Sequence, residues 1–172
     1  MSIYLGIDPG SSLCGWAIVD MKAKQVLDKG HDNLDSIRDL IKNRSINGAL
    51  DGVMIEGTIR YQMSNPVDLL LTTIMVGRLM EISEGLGITT TVMNRPNVIK
   101  SLTGKWPGRT NKVSKTQLQV IVKERLGLEK VVRPQHASDA VAVILAVLIP
   151  VEPIISNAKT NSKQRKSKNS KP

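Results

Sequence analysis

Phenylalanine is missing from this chain of 172 residues, and aromatics make up only 2% of it. Tyr4, Trp16, Tyr61 and Trp106 are the whole set. Core volume must therefore come from Val, Ile, Leu and Met, and an aromatic standing outside the core is informative. Cysteine is nearly absent too. Cys14 is alone, which excludes an intrachain disulfide and a Cys-rich zinc site. Long apolar runs are lacking: the most apolar stretch, residues 140–149, is about half of what a membrane-spanning helix needs. The N-terminus has no basic segment and soon meets Asp8 and Pro9, the wrong pattern for a secretion signal. These absences predict a soluble protein with no membrane partner, working in a reducing, cytoplasmic compartment.

What is present is an apolar body with basic charge. Hydrophobic residues make up 41% of the chain, enough for one domain with a core. The formal charge is +9 and the pI about 9.9. From residue 151 onward six Lys/Arg face one acid, leaving +4 on residues 1–150. Both parts are basic, which favours a polyanionic partner over mere solubility. From about residue 155 the chain is mostly Asn, Ser, Lys and Thr with little to bury, so residues 151–172 read as a basic, disordered tail on a 1–150 domain.

Within that domain, apolar patterning predicts strands over 3–8, 13–19, 25–29, 51–56 and 88–93. Helices are expected over 34–46, from 65 to about 85, in a short piece up to Leu102, over 114–126 and over 135–149. Residues 104–111 read as a mobile loop. Three hairpin-connected strands followed by alternating strands and helices predict an α/β fold with a mixed five-stranded sheet flanked by helices.

The chemistry-bearing residues sit at three edges of apolar segments. The first strand ends Ile7-Asp8-Pro9-Gly10, and the fourth ends Ile55-Glu56. His136-Ala137-Ser138-Asp139 opens the last helix, where a spacing of three puts His136 and Asp139 on one face. Each acid alone reads as a turn former or a helix N-terminal carboxylate. Together they would place unpaired charge beside apolar segments, a cost that a divalent cation relieves. Asp8, Glu56, His136 and Asp139 thus form a candidate catalytic and metal-binding set. Oxygen-rich donors with one imidazole suit Mg²⁺, or Mn²⁺, and phosphodiester hydrolysis giving 5′-phosphate and 3′-hydroxyl ends. Asp8 is the candidate bridge between two ions. Ligation needs neutral His136, so activity is expected to fall in acid.

Gly6-Ile7-Asp8-Pro9-Gly10, Ile55-Glu56 and Pro134-Gln135-His136-Ala137-Ser138-Asp139-Ala140 resemble, in that order, the motifs of the RuvC-type Holliday junction resolvases of the RNase H-like superfamily. The resemblance spans residues 3–149, and the short length and divergent middle look like a phage-encoded member, which would act in the host cytoplasm. It implies a homodimeric, Mg²⁺-dependent endonuclease that nicks two strands of a four-way DNA junction symmetrically. The family's acidic site maps onto Asp8, Glu56 and Asp139, with His136 at the fourth position. Its DNA-facing lysines match Lys100 and Lys115. Where the family often has a stacking Phe after the second acid, this chain reads Ile59-Arg60-Tyr61. Tyr61 is the candidate replacement, with Arg60 beside it.

Two surfaces extend this reading. The helix beginning at Pro66 is apolar around too much of its circumference for one buried face, and Leu70, Ile74 and Gly77 are expected at a dimer contact. Lys100, Lys105, Arg109, Lys112 and Lys115 surround Trp106, a combination suited to phosphate contact with base stacking. Rival readings are a sugar-kinase or actin-like ATPase, an RNase H-like nuclease for RNA or general branched DNA, and a catalytically inactive junction-binding protein. The ATPase architecture needs a second domain and a second glycine-rich phosphate loop, and neither is visible in the sequence.

Overall fold

Strand β1, Ile3–Pro9, alternates between two destinations. Leu5 and Ile7 enter one apolar cluster, while Tyr4 packs against the other. This period of two is what a strand covered on both faces requires. A computed structural model describes residues 2–58, 65–108 and 112–149. In it β1 is followed by β2 (Cys14–Asp20), β3 (Gln25–Asp32), α1 (Leu34–Ile46) and β4 (Gly52–Gly57). Then come α2 (Pro66–Gly85), β5 (Thr90–Asn94), α3 (Arg95–Thr103), α4 (Lys115–Leu126) and α5 (Gln135–Leu148).

The five strands form one mixed sheet in the order β3-β2-β1-β4-β5. β1 pairs antiparallel with β2, as does β2 with β3; β4 runs parallel to both β1 and β5. The expected α/β fold with a mixed five-stranded sheet flanked by helices is the one observed. Ile37 and Ile41 of α1, with Val76 and Leu79 of α2, cover the Leu5–Ile7 face. α3, α4 and α5 cover the opposite face around Ala17, Val19 and Met54.

Helix ends follow local chemistry. Ser114 caps α4 in a reciprocal box with Gln117, and Gly127 closes it in the left-handed region. α5 is sheathed on all sides, with every residue from Ala137 to Ala146 buried. Glycines let it approach the sheet: a Cβ at Gly6 would strike the Ala140 carbonyl, and one at Gly15 would strike His136. Those two contacts bring the first turns of α5 down onto the ends of β1 and β2.

Two boundaries differ most from the sequence expectation: β5 begins at Thr90 rather than at residue 88, and β3 ends later than expected. β3 runs three residues beyond Lys29, to Asp32. Gly30 is not a break: it lies against the Trp16 indole, where a Cβ would come within 2.8 Å of three ring atoms. Trp16 in turn donates from Nε1 to Asp32 Oδ2 at 2.7 Å. The expected tail, residues 151–172, lies outside the described residues. No helix among the described residues is long and apolar enough to cross a membrane.

Candidate active site

Sheet register carries the first two acids to one place. Ile7 pairs with Ile55 across the parallel β1–β4 ladder, so Asp8 and Glu56 follow at neighbouring strand ends. Alternation turns both toward α5: Gly6 and Asp8 share a face, as do Met54 and Glu56. Across the antiparallel ladders Asp8 pairs with Gly15, and Gly15 with His31. The space that a side chain at position 15 would take is filled by His136.

His136 therefore stands between two groups of the same cross-strand row. Its Nδ1 lies 2.9 Å from Asp8 Oδ2 on one side. On the other, its ring stacks on His31 with centroids 4.9 Å apart and planes 9° from parallel. These are the only two histidines of the chain. One helical turn further, Asp139 is almost fully buried. Donor atoms of Asp8, His136 and Asp139 all lie within 4.8 Å of one another.

Glu56 is held from the other side. Arg95, the first residue of α3, places Nη1 3.4 Å from Glu56 Oε1 and 3.5 Å from Asp139 Oδ1. The second contact is ionic only, since Asp139 Oδ1 is buried and has no hydrogen-bond partner among the described residues. Gln135 Nε2 and Ser138 Oγ, in the same first turns of α5, are also buried without partners. Orphaned polar atoms of this kind are rare and costly; a bound cation would answer the Asp139 oxygen, while the Gln135 amide N–H groups need an acceptor such as water.

The electrostatics express the same crowding. Burial raises the Asp8 pKa, and the nearby Asp139 charge adds to this, while the His136 contact opposes it. Glu56 is pushed up to about 8, first by burial and then by Asp8, against the pull of Arg95. Burial disfavours the charge on Arg95, but Glu56, Asp139 and Asp8 together outweigh it and raise its pKa. The two partners of this ion pair are thus treated unequally. Arg95 gains from three carboxylates, whereas one guanidinium does not offset the desolvation of Glu56. Elsewhere in the core, burial pushes the Cys14 thiol up to about 11, so it is no nucleophile.

The donor set fits a hard divalent cation. Two carboxylates and an imidazole converge, a third carboxylate stands beside them, and a buried oxygen lacks a partner. The sequence-derived residues Asp8, Glu56, His136 and Asp139 are thus brought together. Sequence reasoning missed Arg95 and His31. A helix-opening Arg-Pro gave no hint of an ion pair, and His31 was hidden behind Gly30, which reads as the end of a strand.

The basic candidates among the described residues fall on α3, on α4 and on the segment between them. Lys100 Nζ sits 4.4 Å from the centroid of the Trp106 ring, which is 56% exposed. Lys105 and Lys112 border a groove of about 460 Å³ floored by Val113, Val120 and Ile121. Lys115 is exposed at the start of α4. Arg60, Tyr61 and Arg109 fall outside the described residues. On α2, Leu70 and Ile74 are 60% and 45% exposed, and none of the described residues lies within 4 Å of a Cβ placed at Gly77.

No protein-family model matches the chain, and no curated protein sequence does. Solved structures do match. RuvC from Thermus thermophilus superposes with a TM-score of 0.68 at 19% identity, covering 84% of this chain and 92% of that one. T. thermophilus RuvC in complex with a Holliday junction substrate gives 0.68 at 19% identity over 85% and 92%. A polyphosphate/ATP-glucomannokinase from Arthrobacter sp. strain KM reaches only 0.37 at 17% identity over 63% and 51%, too little to carry an argument. The chain therefore has the mixed-sheet, RNase H-like α/β fold that RuvC has.

Proposed function

We propose that this chain is a divalent-metal-dependent endonuclease that resolves four-way DNA junctions and cuts other branched DNA. The observation that carries this reading is the convergence of Asp8, Glu56, His136 and Asp139 around a buried carboxylate oxygen without a partner. The fold shared with a RuvC whose structure holds a Holliday junction substrate supports the choice of DNA.

Asp8, His136 and Asp139 would hold one ion, and Glu56 with Asp8 a second. When bound, Mg²⁺ or Mn²⁺ would supply Lewis acidity to a phosphate oxygen and to water. The protein groups do the positioning. Asp8 and Glu56 are fixed on paired parallel strands, so their separation is set by the sheet rather than by a loop. His136 Nδ1 lies 2.9 Å from Asp8 Oδ2, and the tautomer of the ring sets which of the two donates. Ligation through Nδ1 requires the neutral ring to carry its proton on Nε2, and a doubly protonated ring cannot ligate at all. Cutting therefore weakens in acid. Hydrolysis breaks the bond between phosphorus and the 3′-oxygen, leaving 5′-phosphate and 3′-hydroxyl ends.

Lys100, Lys105, Lys112 and Lys115, with Arg60 and Arg109, are the candidate phosphate contacts, and Trp106 and Tyr61 the candidate stacking groups. Two symmetric cuts need two sites, and the exposed apolar stripe of α2 suits a two-fold contact with a second copy through Leu70, Ile74 and Gly77. A phage origin and action in the host cytoplasm belong to the same reading.

The test uses a labelled four-way junction, a fork and a linear duplex, each with Mg²⁺ or EDTA, for wild type and Asp8→Asn. Paired nicks on the junction that need metal are expected. Asp8→Asn should bind but cut at least about a hundredfold more slowly, since even outer partners of metal ligands carry 10–100-fold effects. Binding without cutting by the wild type would leave the inactive junction-binding reading, and preferential cutting of RNA the other nuclease reading.

A further inference from the structure

We propose that Arg95 is an internal counter-cation of this site, holding the Glu56 side in place of a second divalent ion and making metal loading sequential. The inference rests on the reading that the acidic cluster binds divalent cations, and it concerns a residue outside the ligand set.

The geometry divides the cluster in two. Asp8, His136 and Asp139 offer donor atoms within 4.8 Å of one another, and Glu56 is not part of that group. Glu56 instead shares Arg95 with Asp139, at 3.4 and 3.5 Å. Arg95 is no surface side chain folded over by chance, for it is only 18% exposed. Its backbone is fixed as well. Glu56 pairs with Met93 and Gly57 with Asn94 in the β4–β5 ladder, so Arg95 emerges beside the acid it contacts. Asn94 caps α3 by accepting from Asn97, and Pro96 stiffens its first turn.

Charge decides what this arrangement does. Once metal binding has drawn the protons from Glu56 and Asp8 against their burial, three ionised carboxylates are balanced by one divalent ion and one guanidinium. A second divalent ion must enter against the Arg95 charge at close range, in a site where water screens poorly. It also needs the Glu56 oxygen that Arg95 contacts. Binding at Asp8, His136 and Asp139 meets a weaker obstacle, because two of those three ligands, Asp8 and His136, are in contact with each other rather than with Arg95. The first ion therefore enters on the His136 side, and the second enters weakly until a negatively charged phosphodiester adds its own charge. Arg95 in this role is a positioning residue, acting on the metal through Glu56 and Asp139.

Calorimetric titration of the DNA-free full chain with Mn²⁺ tests this without reference to activity. The wild type should bind about one ion tightly per chain, with a second at least about tenfold weaker. Arg95→Gln should bring the second ion closer to the first in affinity by about tenfold, and Arg95→Lys should stay near wild type. A merely structural arginine would lower metal affinity when replaced, never raise it. Two equal wild-type sites, or the same titration for wild type and Arg95→Gln, would overturn the inference while leaving the metal centre standing. A wild type that binds no Mn²⁺ would overturn both. Should Arg95→Gln fail to fold, the wild-type titration alone decides, since two equal sites contradict a counter-cation.

Discussion

At the residue scale, the site is a group of acids held in a setting that resists their charge. Glu56 shows this most clearly, being pushed up to about 8 by burial and by Asp8, from an ordinary value of 4.5. The sign of the consequence follows from proton counting. Between those two values the folded chain keeps a proton that the unfolded chain releases, so rising pH favours unfolding. The stabilising contribution is complete below the unfolded value and is lost as pH rises through the folded one. Asp8 is shifted in the same direction and adds to the trend. We expect the melting temperature of the metal-free protein to fall as pH rises from about 6 to about 8.5, and Glu56→Gln to flatten that fall because its amide does not titrate. Mg²⁺ should restore the lost stability, more so at the higher pH, since it binds the ionised form. Melting curves that run parallel for wild type and Glu56→Gln across this range would contradict the account. The residues themselves differ in how readable they are. Asp8, Glu56, His136 and Asp139 could be found because each ends or opens an apolar segment. Arg95 and His31 could not, because their role lies wholly in strand register.

At the element scale, hydrophobic period carries most of the information. β1, β2 and β4 were legible because alternation stops at an acid or a turn, and α4 because Ser114 and Gly127 mark its ends. β3 was not fully legible. Its last three residues begin at a glycine that looks like a stop but accommodates Trp16. Sheet order was also beyond the sequence, and it is the order β2-β1-β4-β5 that sets Asp8, Glu56 and Arg95 side by side. α2 presents a different case: its composition predicts two apolar faces, and the structure covers one. Thr72, Val76, Leu79 and Ser83 face the sheet, whereas Val67, Leu70, Leu71 and Ile74 stay exposed at helical spacing. Fully burying one such side chain stabilises by about 1.5–3 kcal/mol, so a second copy of this helix is a strong candidate cover. Charging the stripe with Leu70→Glu and Ile74→Glu should raise the dimer dissociation constant about a hundredfold or more, as read by light scattering after size exclusion. Ile46→Glu on α1 is the control, since Ile46 is 80% exposed but belongs to no apolar stripe. A wild type that runs only as monomer at micromolar concentration would refute the dimer.

At the scale of the whole molecule, two charge patterns oppose each other. The site gathers carboxylates, yet the chain as a whole carries +9. On the proposed function, a polyanion would be attracted from a distance and resisted at the last step, where bound cations would have to invert the local sign. The basic residues do not all contribute alike. Lys100, Lys105, Lys112 and Lys115 belong to the folded body around Trp106, where position can matter. The Lys and Arg residues after 155 number six and sit in a stretch poor in apolar residues. Such a stretch would act through its charge, neutralising phosphates and releasing counterions without regard to DNA shape. Removing residues 156–172 should then weaken binding to junction and duplex alike. It should also reduce the slope of log affinity against log salt, by up to about 0.9 for each phosphate that the tail no longer neutralises. Cutting at saturating protein should persist, because no member of the acidic cluster is removed. Titrations of a labelled four-way junction and a linear duplex at several salt concentrations, with single-turnover cleavage beside them, separate these effects. A truncated chain that binds normally but no longer cuts would place the tail in the catalytic step and refute a purely electrostatic role. Weakened binding to the junction alone would instead make the tail a reader of branch structure.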